Sequence, residues 1–269
     1  GDELFAGYTW THTTQRAERY RRLPLWMRRT VDALLQLAPR HPEVARIRRF
    51  SKDLFQSTLH VFRRKHTCFG AEMRARLFKP DTTKAVLTSS VDYFQRHWDA
   101  FPELTPQDKM LYHDTVMYLP DDILTKVDRM SMAQALEVRV PILDHRIVEF
   151  AASLPFNFKY RNGKSKVIVK HALNRVLPPE VVRQRKQGFA LPIHDWFRNE
   201  LKDHFCDAVL TADSRSQAFL NTTYAQRLFK LHIENRENYG HHLWTILMFE
   251  HWLRYMENAV SIKPELSLG

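Results

Sequence analysis

Tyr118-Leu119-Pro120-Asp121-Asp122-Ile123-Leu124-Thr125-Lys126-Val127-Asp128-Arg129-Met130-Ser131-Met132-Ala133-Gln134-Ala135-Leu136-Glu137-Val138-Arg139-Val140-Pro141 is the stretch on which the fold turns. Pro120-Asp121-Asp122 reads as a helix start, and the apolar spacing that follows predicts a helix over 121–138. Asp122, Lys126, Arg129, Ala133 and Glu137 fall on one stripe at about 100° per residue, opposite a side rich in Ile, Leu, Val and Met. Such a stripe is either a solvated face of i,i+4 pairs or a polar wall lining a cleft, with Glu137 as a base or as partner of a substrate ammonium. Pro141 disfavours helix at Val140, and Asp144 reads as the cap of the next helix.

The same helical pattern extends outward in both directions. Helices are expected near 2–22, 25–38, 52–64, 70–78, 106–119, 144–154, 165–177, 194–210 and 224–259, the last broken near Gly240. Strand-like sequence is confined to short pieces such as Phe156–Tyr160. Residues 79–104 and 211–223 read as softer connections, and the whole as one helical unit.

The chain has 269 residues, 44% of them hydrophobic and 12% aromatic, so it can bury a core. Cys68 and Cys206 are isolated, which suggests reduced thiols in a cytoplasmic protein, with a disulfide as the alternative. No run of about 18 uncharged apolar residues occurs, so no membrane span is expected. The formal charge is +11, carried by arginine runs at Arg16–Arg29, Arg40–Arg49 and Arg63-Arg64-Lys65. These are solvated helix faces or the footprint of a polyanion. Aromatic residues do not interleave with them as a base-stacking platform needs, which argues against nucleic acid. The 7 glycines are far fewer than the roughly 19 of average usage, and no glycine-rich phosphate loop is among them.

Three places carry chemistry. Gly1-Asp2-Glu3-Leu4-Phe5-Ala6-Gly7-Tyr8 puts carboxylates where a strand would meet a helix; Asp2 is a plain helix cap or a carboxylate facing a phosphate-bound Mg²⁺. The stripe of Lys126, Arg129 and Glu137 is the second. The third is Arg161-Asn162-Gly163-Lys164-Ser165-Lys166, a turn signal followed by a helix with Ser165 as the expected cap. Two lysines beside a helix start suit a phosphate, or make a basic surface loop. The segment Arg183–Ile193 reads as a basic turn followed by an apolar docking stretch, with Phe189 and Trp196 as anchors. His241-His242 lacks the spacing of two metal ligands on one helix face.

Taken together, the segments at 1–8, 119–145, 162–173 and 177–197 resemble the synthetase domain of glutamine-hydrolysing asparagine synthetase. They occur in that family's order over about two hundred residues. The resemblance implies a predominantly α chain that is the C-terminal part, over 1–269, of a single α/β domain of the adenine nucleotide alpha hydrolase-like, PP-loop ATP pyrophosphatase type. The glutaminase domain and the PP-loop half of that family are absent from this sequence, so the chain is expected to be an incomplete and, alone, inactive piece. The resemblance also implies ATP and Mg²⁺ as cofactors, aspartate or a related carboxylate as acceptor, ammonia from the glutaminase domain, and a homodimeric parent. By the same resemblance Asp2 holds Mg²⁺, and Lys166 contacts the α-phosphate or pyrophosphate, with Lys164 as second choice. Glu137 lines the acceptor pocket; Lys126 and Arg129 are supporting charges. Two other readings stand beside this one: a paralogue that amidates or cyclises another carboxylate, of cell-envelope or β-lactam type, and a basic helical module that binds RNA or an acidic protein.

Overall fold

The computed structural model describes residues 1–37, 56–184 and 191–261. The stop expected at Pro39, the basic run 40–49, the expected helix start at 52–55 and the turn at 185–190 with Phe189 lie outside the described residues. The described residues are predominantly α-helical, with one two-stranded sheet. They fall into two compact units, Gly1–Lys65 with Tyr93–Lys186, and His66–Asp92 with Gln187–Gly269.

In the first unit the N-terminal segment is core, not the start of a helix. Residues 2–6 form a turn in which Ala6 takes a left-handed conformation (φ 56°), and Phe5 N–H bonds to Gly1 C=O at 3.1 Å. Helix begins only at Thr9 and runs to Arg21, which corrects the expected start at residue 2. The turn exists because Leu4, Phe5 and Ala6 are all buried. Leu4 and Phe5 pack with Ala151, Ile142, Ile147, Val148, Ile168 and Val169, and Ala6 with Leu111 and Tyr160. Burying side chains of this size stabilises by about 1.5–3 kcal/mol each, more than one left-handed residue costs.

The deciding stretch behaves differently from its reading. Helix runs without interruption from Pro106 to Met132, so Pro120 is interior rather than a start. Proline is tolerated because Asp114–Leu124 is wound as a π-helix, whose wider turn relieves the clash of the ring with the preceding carbonyls. Thr125 Oγ1 donates to the Pro120 carbonyl at 2.7 Å. At the other end the helix stops at Met132, not at 138. Leu136 N–H reaches Ser131 C=O and Ala135 N–H reaches Met132 C=O, with Ala135 left-handed at φ 54°. This is a Schellman cap with alanine in the position glycine usually takes, which is why no sequence signal marked it. Val140 is extended, Pro141–Leu143 forms a 3-10 turn, and Asp144 caps the His145–Ser153 helix by accepting from Arg146 N–H at 3.0 Å.

Phe156–Lys159 is a single helical turn rather than a strand, because Pro155 fixes the entry and its carbonyl receives Phe158 N–H. Only Tyr160-Arg161 pairs, antiparallel, with Lys164-Ser165. Asn162 (φ 50°) and Gly163 (φ 79°) form the tight turn, both with positive φ, as Asn-Gly foretold. Ser165 lies in the strand and does not cap; the helix Val167–Leu173 follows Lys166.

In the second unit the Gly240–Ser261 helix is central. Its Leu243, Ile246 and Leu247 are buried with Phe197, Phe205, Leu228 and Ile193. The expected helix at 194–210 is split into Ile193–Trp196 and Lys202–Val209, while that at 224–259 breaks before Gly240 as expected, into Thr222–Ile233 and Gly240–Ser261. Glu250 is fully buried yet satisfied: it accepts from the backbone N–H groups of Arg215 (3.0 Å) and Ser216 (2.7 Å), from Ser214 Oγ (2.9 Å) and from Arg254 Nε (2.7 Å). The stretch 79–104, expected to be soft, contains the 20-residue helix Pro80–Asp99, with proline and Asp81 in its first turn. Cys68 and Cys206 are free thiols. Among the described residues no helix is long and apolar enough to cross a membrane.

Candidate active site

Asp2 and Lys166 come together. The N-terminal turn carries Asp2, the hairpin carries Lys166, and Lys166 Nζ lies 2.7 Å from Asp2 Oδ1. Both side chains are half-buried, 24% and 32% exposed, which leaves a path for a ligand. Two backbone features fix this pair. Lys166 is left-handed (φ 55°), and its N–H donates to Phe5 C=O at 3.1 Å, so the hairpin is stitched to the turn. Gly7 N–H donates to Asp2 C=O at 2.8 Å, folding the turn back on itself.

Gly7 is the residue the sequence reading missed. A Cβ there would fall 1.7 Å from Asp2 Oδ1 and 2.5 Å from Lys166 Cε. The carboxylate and the lysine stem therefore occupy the space a side chain would need, and glycine is required by close approach rather than by φ. The only hint in the sequence is the glycine itself, in a chain with 7 of them.

Beside the pair stands a wall of carboxylates and aromatic rings. Glu3 is buried and accepts a hydrogen bond from the Tyr8 hydroxyl. Burial, then the Glu3 carboxylate, push the Tyr8 phenol far above its ordinary value, so its hydroxyl stays a donor. Tyr8 stacks on Trp10 with ring centroids 4.0 Å apart, and Tyr118 meets both edge-on. Trp10 Nε1 donates to Asp114 Oδ2 at 2.9 Å. Burial raises the Asp114 carboxyl to about 8; the indole N–H opposes the shift and nearby Glu3 adds to it. Burial and Asp122 raise the Tyr118 phenol to about 12.

The other expected residues stand apart from that pair in their observed contacts. Lys164 is exposed on the hairpin. Lys126 is exposed and faces Asp122 at 3.7 Å, the i,i+4 contact of a solvated face. Arg129 is exposed. Glu137 has left the stripe, because the helix ends at Met132; it lies in the irregular connection that follows and accepts from Arg139 Nε at 2.6 Å. Its side chain is 67% exposed. Asp2 is no helix cap, since the first helix starts after Tyr8.

For a Mg²⁺ ion the described residues offer no cluster of three or more His, Cys, Asp or Glu donors. Asp2 is the carboxylate of the pair, and magnesium beside nucleotides is commonly held by one or two carboxylates together with substrate phosphates and water.

Comparison with known proteins agrees with the resemblance. A family model described as Asparagine synthase matches residues 1–254. The protein named asparagine synthetase [glutamine-hydrolyzing] 1 of Bacillus subtilis is 27% identical over 282 residues, covering 98% of this chain and 42% of that protein. Asparagine synthetase [glutamine-hydrolyzing] 3 of the same organism is 24% identical over 193 residues, 72% of this chain and 25% of its own. The human asparagine synthetase [glutamine-hydrolyzing] is 28% identical over 143 residues, 48% of this chain and 25% of its own. The chain thus spans 42% of the length of the first of these relatives. No solved structure matches.

Proposed function

The chain belongs to the asparagine synthase family, and from that premise we propose that it forms the C-terminal part of the synthetase domain of an ATP-dependent, amide-forming ligase. In this reading the aspartate side-chain carboxylate attacks the α-phosphorus of ATP and releases pyrophosphate. Ammonia derived from glutamine then displaces AMP from the acyl-adenylate and leaves asparagine. The observation that carries the reading is the Asp2–Lys166 pair held around Gly7.

The chemistry demands positive charge where negative charge builds on phosphate oxygens. Lys166 supplies a compact ammonium on a stem that the backbone bond to Phe5 orients. Asp2 would hold a Mg²⁺ ion, which when bound neutralises phosphate charge. On nucleotide binding the Lys166 ammonium would turn from Asp2 to a phosphoryl oxygen, leaving the Asp2 carboxylate available to hold the cation. Lys164 stands second to Lys166 as a phosphate contact. Lys126, Arg129 and Glu137, all exposed here, would serve the acceptor side.

Aspartate-dependent release of pyrophosphate by the full-length protein, with ATP and Mg²⁺, tests the reading. Lys166→Ala is expected to lower that release by about 10²-fold or more. Wild-type release by this variant would remove the role given to Lys166. Release that depends on a different carboxylate and not on aspartate would keep the chemistry and change the acceptor.

A further inference from the structure

We infer that His204 and His251 form a two-histidine site for a borderline transition-metal ion such as Zn²⁺, Ni²⁺ or Cu²⁺. His204 projects from Lys202–Val209 and His251 from Gly240–Ser261, and these two helices pack on one another. The Nε2 atoms of the two rings are 3.0 Å apart at the surface. Two metal–nitrogen bonds of about 2.0–2.1 Å, set at an angle between about 90° and 109°, put their nitrogens about 2.9–3.4 Å apart. The observed separation lies within that span. The rings are nearly parallel, with planes 15° and centroids 5.1 Å apart, and rotation of each about its side-chain bonds aims both Nε2 lone pairs at one shared ion.

The supporting structure is rigid on both sides. Phe205, next to His204, is fully buried, and so is Glu250, next to His251. Each backbone is thus fixed while each ring reaches water. Imidazole nitrogen suits zinc, nickel and copper and does not suit magnesium or calcium. Among the described residues no third His, Cys, Asp or Glu joins the pair, so water fills the remaining coordination positions. An open coordination sphere of this kind gives an exchangeable site rather than a structural one.

Titration of Zn²⁺ into the full-length protein, followed by calorimetry, tests the inference. The wild type and a His241→Ala control are expected to show one site in common. His204→Ala and His251→Ala are each expected to weaken that site by about tenfold or more, since loss even of outer-shell partners costs about 10–100-fold. His204→Cys, which substitutes one zinc ligand for another, is expected to retain it. Equal Zn²⁺ binding in all variants, or no binding in the wild type, would show that the two rings merely share a hydrogen bond and would overturn the site. Both side chains are at the surface, so unchanged melting of the metal-free variants confirms that a lost site is not a lost fold.

Discussion

Asp2 and Lys166, from opposite ends of the first unit's sequence, meet at 2.7 Å with Gly7 directly beneath them. In the proposed chemistry this ion pair would open when nucleotide binds. Its value for the proposed chemistry is that both groups are already desolvated in part and aimed at one point before a phosphate arrives, which lowers the cost of organising them.

Gly7→Ala tests that arrangement. The new methyl group cannot coexist with Asp2 Oδ1 and Lys166 Cε where they stand. The variant is expected to lose about 1–3 kcal/mol of stability, the range for forced overpacking. Its pyrophosphate release should fall with a melting point still high enough to measure it. An alanine variant with unaltered activity and melting would mean that the pair is free to move away at no cost.

Asp114→Asn should change the pH dependence of stability. The folded carboxyl titrates near 8, well above its ordinary value of 3.8. Between those values the folded chain binds a proton that the unfolded chain has released, so this group makes stability fall as pH rises from about 4 to about 8. Asparagine keeps an acceptor for the Trp10 indole and has no charge to bury. Melting points taken across this window are expected to fall less steeply in the variant than in the wild type; parallel curves would exclude the effect.

Glu250→Gln addresses the second unit. Burial alone would raise this carboxyl, but the N–H groups of Arg215 and Ser216, the Arg254 side chain and the Ser214 hydroxyl outweigh it and hold it near 2. The stability it contributes is fully present above its ordinary value of 4.5 and is lost as pH falls towards about 2. Replacing the carboxylate by an amide at neutral pH leaves the buried N–H groups of Arg215 and Ser216 short of an acceptor and is expected to cost about 1–3 kcal/mol. Urea unfolding at pH 7 measures the loss, and a change below about 1 kcal/mol would contradict this account.

Ala135→Gly should stabilise. Alanine holds the left-handed position of the Schellman cap, where a Cβ costs about 1 kcal/mol. Glycine removes that strain, with a small entropic loss in the unfolded chain, for a net gain of about 0.5 kcal/mol. A destabilised variant would show that the alanine methyl group is packed more favourably than its backbone is strained.

The helical class of the chain, its Asn-Gly turn and its Asp144 cap were all readable from local patterns, whereas the meeting of Asp2 with Lys166 was not. Each of the three readable features depends on residues within a few positions of each other or on a motif. Glu137 was misplaced because periodicity carries on through Ala133-Gln134-Ala135, three good helix formers, while a Schellman cap closed by a left-handed alanine ends the helix there without a glycine to signal it. Pro120 was misread for a related reason. A proline marks a helix start unless the winding widens, and widening depends on the buried Asp114, Met117 and Leu119 holding the helix in place. The aromatic wall of Tyr8, Trp10 and Tyr118 joins residues far apart in sequence, and no single-chain pattern reports such a meeting.

The wide winding at Asp114–Leu124 also sets where everything after it points. Each residue added to or taken from a helix turns the rest by about 100°. Winding that segment at ordinary α-helical pitch would swing Lys126 and Arg129 to a different side. The angular aim of those two cations is thus encoded upstream, by an irregularity in which they take no part.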